Sequence, residues 1–245
     1  MRGIFLEFGL PAGYAPGMSN LTKLMVFDLD GTLVDTAADL GASLDAALAV
    51  QGQPPSDLES ARRWIGHGAR QMIRNAMTER KIAFDEALVD TMLRDFLVHY
   101  QANICRYSRP FPALLEALDR LAEAGWTFAV CSNKQERLCR QLLDELAMGD
   151  RFAAIAGGDT FGVSKPDPGH LLGTIEAAAG SRDLAIMVGD ASTDVNAARA
   201  ASVPVIGVTF GYTPVPMADL APDILLESFA DLTPANADRL LDQRS

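Results

Sequence analysis

Short, unbroken apolar runs recur along the chain at residues 24–27, 128–131, 155–157, 185–188 and 205–208. Runs of this length without polar alternation predict strands covered on both faces, as in a parallel sheet. Between the last four, the apolar period lengthens to that of helices at 135–146, 168–179 and 193–201, and Leu138, Leu142, Leu143 and Leu146 share one face of the first. Alternating strands and helices predict an α/β fold, a doubly wound, Rossmann-like parallel sheet with helices on both sides. Residues 224–226 predict a final short strand, followed by a weakly patterned helix.

The interval between the first two strands follows another rule. From 36 to 107 the apolar spacing is helical throughout, through Leu40, Leu44 and Leu48, then Trp64 and Ile65, then Met72, Ile73 and Ala76, then Leu88, Met92 and Phe96. A plain loop of that size inside a compact domain is implausible, so residues 36–107 are an expected helical subdomain inserted after the first strand, placed to sit over whatever the acids that end that strand do. Residues 21–35 and 108–245 then form the α/β core domain. The RPFP stretch at 109–112 is the expected return hinge and opens a helix at 113–124. Met72, Met77 and Met92 suit packing within the cap better than ligation.

Composition narrows the class. With 49% hydrophobic and 22% charged residues in 245, the chain has an ordinary globular balance. A formal net charge of -11 speaks against a nucleic-acid polymer or an anionic membrane as partner, so any anionic ligand has to be captured by local cations. Cys105, Cys131 and Cys139 have no CxxC spacing, which argues against both a disulfide framework and a structural zinc site. In residues 1–20 Glu7 interrupts the apolar run after Arg2, so a signal peptide is not expected; the Gly/Pro-rich stretch 11–17 reads as a loosely ordered extension, and the protein as cytoplasmic. No window has enough consecutive apolar residues for a membrane span.

The predicted strands end on reactive side chains: Asp28 and Asp30 after the first, Ser132 and Asn133 after the second, Lys165 a loop beyond the third, Asp190 and then Asp194 after the fourth. In open α/β sheets ligands bind beyond the carboxyl ends of the strands, so these residues converge on one crevice. Singly, each acid also suits a turn, Ser132 a helix cap, Asp194 a first-turn acid and Lys165 an ordinary surface. Jointly, gathered carboxylates repel one another unless a cation sits among them. Magnesium fits an oxygen-only set that leaves room for a substrate phosphate, and His67, His99 and His170 are too widely spread to favour zinc or iron. Lys165 and the exposed amide at Ser132 then suit a phosphoryl group. Asp194 suits a role behind Lys165 or a metal-bound water.

DLDGT at Asp28 and Asp30, Ser132 of CSN, Lys165 of SKPDP and the GDASTD run ending at Asp194 resemble the four ordered motifs of the haloacid dehalogenase superfamily. With the helical insertion, WIGHGAR and SNK, the chain looks most similar to the phosphoglycolate phosphatase branch. The resemblance implies that Asp28 is a nucleophile forming an aspartyl-phosphate and that Asp30 is the general acid and base. It also implies magnesium on Asp28, the Asp30 backbone carbonyl and Asp190, with Ser132, Asn133 and Lys165 on the phosphoryl oxygens. An acid at position 30 disfavours a dehalogenase. The implied function is hydrolysis of a small anionic phosphoester, with 2-phosphoglycolate first. A phosphomutase of the beta-phosphoglucomutase type, another small-phosphoester or pyrophosphate hydrolase, and a non-enzymatic binding protein are the alternatives. The protein is expected to be a monomer or homodimer.

WIGHGAR, residues 64–70, is the expected specificity loop, where His67 or Arg70 meets a substrate carboxylate; a plain turn with an exposed histidine is the competing reading. Its GHG is not preceded by a strand run, and GGDTFGVSKP lacks the GK[ST] ending of a P-loop, so neither is a nucleotide motif. Ser202 stands where similar chains turn with glycine.

Overall fold

A computed structural model describes residues 22–243; the expected extension at 1–20 lies outside the described residues. In chain order the elements are β1 (Lys23–Phe27), β2 (Val34–Asp35), α1 (Ala37–Val50), α2 (Leu58–Trp64), α3 (Ala69–Glu79), α4 (Glu86–Ala102), β3 (Arg109–Pro110), α5 (Leu114–Glu123) and β4 (Trp126–Cys131). They continue with α6 (Glu136–Glu145), β5 (Ala154–Ala156), α7 (Pro168–Ala177), β6 (Ala185–Gly189), α8 (Ser192–Ala200), β7 (Val205–Val208), β8 (Ile224–Leu226) and α9 (Pro234–Asp242). Six strands form one parallel sheet in the order β5-β4-β1-β6-β7-β8.

The central strand shows why the sheet is covered twice. Successive side chains of β1 point to opposite faces, and Met25 and Phe27 join one apolar cluster while Leu24 and Val26 join another. On the first face Leu114, Leu118, Leu138, Leu142 and Leu240 bring in α5, α6 and α9, and Phe128 and Phe229 pack on Phe27 at centroid distances of 6.1 and 6.5 Å. On the second, Leu171, Ile175, Val195 and Ala198 bring in α7 and α8. The doubly wound α/β core and the inserted helical subdomain are therefore as the apolar pattern implies. The last helix is better defined than its weak pattern suggests, because Pro234 opens it and the Thr233 hydroxyl accepts from the Asn236 amide. Ser202 has φ 55°, the left-handed backbone that explains why glycine suits this turn.

One pair of elements had no signature in the apolar pattern. The chain enters and leaves the helical insertion through β2 and β3, an antiparallel ribbon pairing Val34 with Pro110 and Asp35 with Arg109. Asp39, in the first turn of α1 and 1% exposed, fastens the return leg. Its carboxylate accepts from the amides of Tyr107 at 3.0 Å and Ser108 at 2.8 Å and from the Ser108 hydroxyl at 2.6 Å. None of the helices among the described residues is long and apolar enough to cross a membrane.

Replacing Asp39 by alanine strands the buried amide and hydroxyl of Ser108 along with the half-buried Tyr107 amide, and is expected to lower the unfolding free energy by about 2–3 kcal/mol. Urea denaturation of Asp39→Ala beside the wild type measures it; equal midpoints would show that water satisfies these amides as well as the carboxylate does.

Candidate active site

The parallel register sets the site. β1 lies between β4 and β6, so the residues that follow these strands emerge side by side at one rim. The Asp28 amide still donates to the Val188 carbonyl, at 2.9 Å, and the Ser132 amide to the Ala156 carbonyl, at 3.0 Å. Both side chains are thus set by sheet hydrogen bonds rather than by a free loop. After Asp28 the chain turns; Gly31 has φ 89°, and a β-carbon there would lie 2.5 Å from an Asp190 oxygen. Only glycine allows the turn to pass that close to the acid.

Asp28, Asp190 and Asp194 are buried, and each offers a carboxylate oxygen within 4.8 Å of the others. Lys165, 3% exposed, lies among them with its Nζ 2.8 Å from Asp28 Oδ1 and 2.7 Å from Asp194 Oδ1. Burial penalises the Lys165 ammonium, but Asp194 and Asp28 outweigh that and raise its pKa above the usual lysine value. Asp194 is also anchored by its other oxygen, which accepts from the amides of Asp190 and Ala191 at 3.1 and 3.0 Å and closes the first turn of α8.

One ammonium does not balance three carboxylates. Burial pushes the Asp28 carboxyl up to about 6, with the charges of Asp194 and Asp30 adding to it and Lys165 opposing. Asp190 is raised as well, by burial first and then by Asp28 and Asp194, although it accepts from the Tyr212 amide at 2.7 Å and the Thr32 hydroxyl at 3.0 Å. Excess negative charge on oxygen donors alone, with no nitrogen or sulfur ligand among them, fits a hard divalent cation.

Asp30 stands apart from this trio. Its oxygens accept from Lys134 Nζ, each at 2.7 Å, and Oδ1 also accepts from the Thr36 hydroxyl at 2.7 Å. Asn133 reaches across the crevice, its amide nitrogen donating to the Lys165 carbonyl at 3.0 Å and to the Gly66 carbonyl at 3.3 Å. Above the rim a cavity of about 300 Å³ has Asp28, Asp30 and Ser132 on its floor and His67, Phe96 and Tyr100 among its walls. The structure therefore brings Asp28, Asp30, Ser132, Asn133, Lys165 and Asp190 to one rim, with Asp194 behind Lys165.

The 64–70 loop does close the cavity. Trp64 packs inside, its indole nitrogen donating to Glu79 at 2.9 Å, and Gly66 and Gly68 take φ of 104° and 82°. A β-carbon on Gly68 would press to 3.4 Å from the Asn133 carbonyl. Arg70, though beside the cavity, is paired with Glu86 at 3.3 Å and with Asp90.

Several contributors escaped the sequence reading. Lys134 lay within the SNK stretch without a role. Tyr212 donates its amide to Asp190, while its hydroxyl donates to Asp35 and accepts from the amides of Thr36 and Ala37, and no pattern links position 212 to positions so far upstream.

The sequence pattern of the haloacid dehalogenase-like hydrolases matches residues 25–208, and the chain belongs to that family. It is 49% identical to the phosphoglycolate phosphatase of Agrobacterium fabrum over 221 residues, 90% of this chain and 95% of that one. It is 44% identical to the phosphoglycolate phosphatase of Mesorhizobium japonicum over 218 residues, 89% and 96% of the two chains. Among solved structures, that of a predicted phosphoglycolate phosphatase from Haemophilus somnus superposes with a TM-score of 0.80 at 30% identity, covering 87% of this chain and 97% of that one.

Substituting Lys165 by methionine leaves Asp28 and Asp194 as buried, unpaired neighbours, and a loss of about 3–5 kcal/mol of stability is expected in metal-free protein near neutral pH. Chemical denaturation in EDTA tests this; a loss below about 1 kcal/mol, the size of an exposed pair, would mean that water already screens the trio.

Proposed function

We propose that the protein is a magnesium-dependent phosphatase that hydrolyses a small phosphomonoester, 2-phosphoglycolate first among them, through an aspartyl-phosphate on Asp28. The observation that carries the reading is the Asp28 carboxylate at the floor of the cavity, beside Lys165 and with carboxylate oxygens of Asp190 and Asp194 within 4.8 Å. Similarity to phosphoglycolate phosphatases over nine-tenths of the chain supports the substrate. In this reading residues 36–107 are the cap domain, and residues 21–35 with 108–245 are the core domain.

The Asp28 oxygen bonds to phosphorus as the bond from phosphorus to the substrate's bridging oxygen breaks, and Asp30 gives its proton to the departing alkoxide. Asp30, now a carboxylate, takes a proton from water as that oxygen attacks the phosphorus. The Asp28 to phosphorus bond breaks, and inorganic phosphate and the free carboxylate result. Ser132, the Asn133 amide and Lys165 hold the phosphoryl oxygens as charge shifts among them. Magnesium would be held by the Asp28 carboxylate, the Asp30 carbonyl and the Asp190 carboxylate, and would supply charge neutralisation for the phosphoryl group. The rest of the substrate lies under apolar walls, where His67 is the free basic side chain of the 64–70 loop, Arg70 being occupied by its two acids.

Phosphate release from 2-phosphoglycolate and a panel of small phosphoesters, with magnesium and with EDTA, tests this function. Activity is expected only with the metal. Asp28→Asn, close in shape but a poor nucleophile, is expected to reduce turnover by at least about 10³-fold; release at the wild-type rate would remove Asp28 from the nucleophile's role.

A further inference from the structure

Lys134 is a buried charge that the two hydrolytic steps leave without a task. Its side chain is 6% exposed and its ammonium meets both oxygens of Asp30. The same ammonium lies over the ring of Tyr100, 4.6 Å from its centroid. Tyr100 belongs to α4 of the helical insertion, whereas Lys134 is rooted in the core, its amide donating to Ser132 Oγ at 3.3 Å and its carbonyl accepting from the Gly158 amide at 2.8 Å. Tyr100 is 1% exposed and lines the cavity, and its own hydroxyl has no hydrogen-bond partner.

The contacts have a directional logic. Two bonds from one ammonium to both oxygens, with Thr36 on Oδ1, fix the plane of the Asp30 carboxyl as a single bond could not. Such a pair holds firmly only while water is kept from it; an exposed ion pair is weak and loses its geometry to side-chain freedom. Tyr100 supplies both the exclusion of water and the attraction of a ring face for a cation.

We propose that Lys134 is a positioning residue for Asp30 and that its grip depends on the cap: Tyr100 seals the ammonium, so the Asp30 carboxyl is aligned for proton delivery only while α4 covers the crevice. The inference rests on the phosphatase reading, in which Asp30 protonates the leaving group. It adds that closing the cap completes the acid as well as enclosing the substrate.

The test compares kcat/KM, which reports the first phosphoryl transfer, for 2-phosphoglycolate, ethyl phosphate and acetyl phosphate with magnesium. The first two release alkoxides that need a proton; acetate leaves without one. Lys134→Met is expected to lower kcat/KM about 10- to 100-fold for both alkyl esters and less than about threefold for acetyl phosphate. Lys134→Arg, which restores the charge, should recover part of the loss. Tyr100→Leu should show the same selectivity at smaller amplitude, with Tyr100→Phe, which keeps the ring face, losing less. An equal fall on all three esters overturns the proposal, and so does a fall confined to 2-phosphoglycolate, which would make Lys134 a contact for the substrate carboxylate. If Lys134→Met does not fold, Tyr100→Leu decides by the same ratios. A wild type that releases no phosphate from any ester overturns the phosphatase reading and this proposal together; an active wild type with unchanged ratios in the variants overturns this proposal alone.

Discussion

The arrangement of this rim follows from a buried imbalance of charge. Lys165 divides one positive charge between Asp28 and Asp194, and Asp190 lies close to both with only neutral donors of its own. The fold tolerates this because sheet amides, the start of α8 and the Tyr212 loop fix each carboxylate in place before any ligand arrives. Anions held together in this way suit a cation and, through it, an anionic group. Under the proposed function, that would let a chain of net charge -11 take a phosphoester from solution.

The helical insertion completes the rim in two ways. Its 64–70 loop bends on Gly66 and Gly68 to meet Asn133, which links that loop to the Lys165 segment through one side-chain amide. Its α4 places Phe96 and Tyr100 over the same cavity. Polar groups from the sheet thus form the floor and largely apolar groups from the insertion form the roof, a division suited to holding a charged phosphate against one and a short carbon skeleton against the other.

Much of this was readable from the sequence because it is local. Both-faced burial writes itself as unbroken apolar runs, so every strand of the main sheet stood out, and the reactive residues stood out because they directly follow those runs. The β2–β3 ribbon left no trace, being two residues per strand joined across the whole insertion. Tyr212 and Lys134 were hidden for a related reason: each acts on residues brought near it only by the fold, and a lone tyrosine or lysine carries no periodicity. Arg70 shows the converse. Its position beside the glycines pointed to a ligand, while its actual partners, Glu86 and Asp90, sit on α4, which the motif does not include.

Both legs of the insertion converge on the first turn of α1. The phenol oxygen of Tyr212 takes the place of a side-chain cap on that helix, joining it to the loop that also holds Asp190, and Asp39 in the same turn binds the returning chain. The two legs of the insertion are thereby tied to each other and to the core. One tyrosine thus ties the entry to the insertion and the Asp190 carboxylate into a single unit, so a displacement of either leg is felt at that acid.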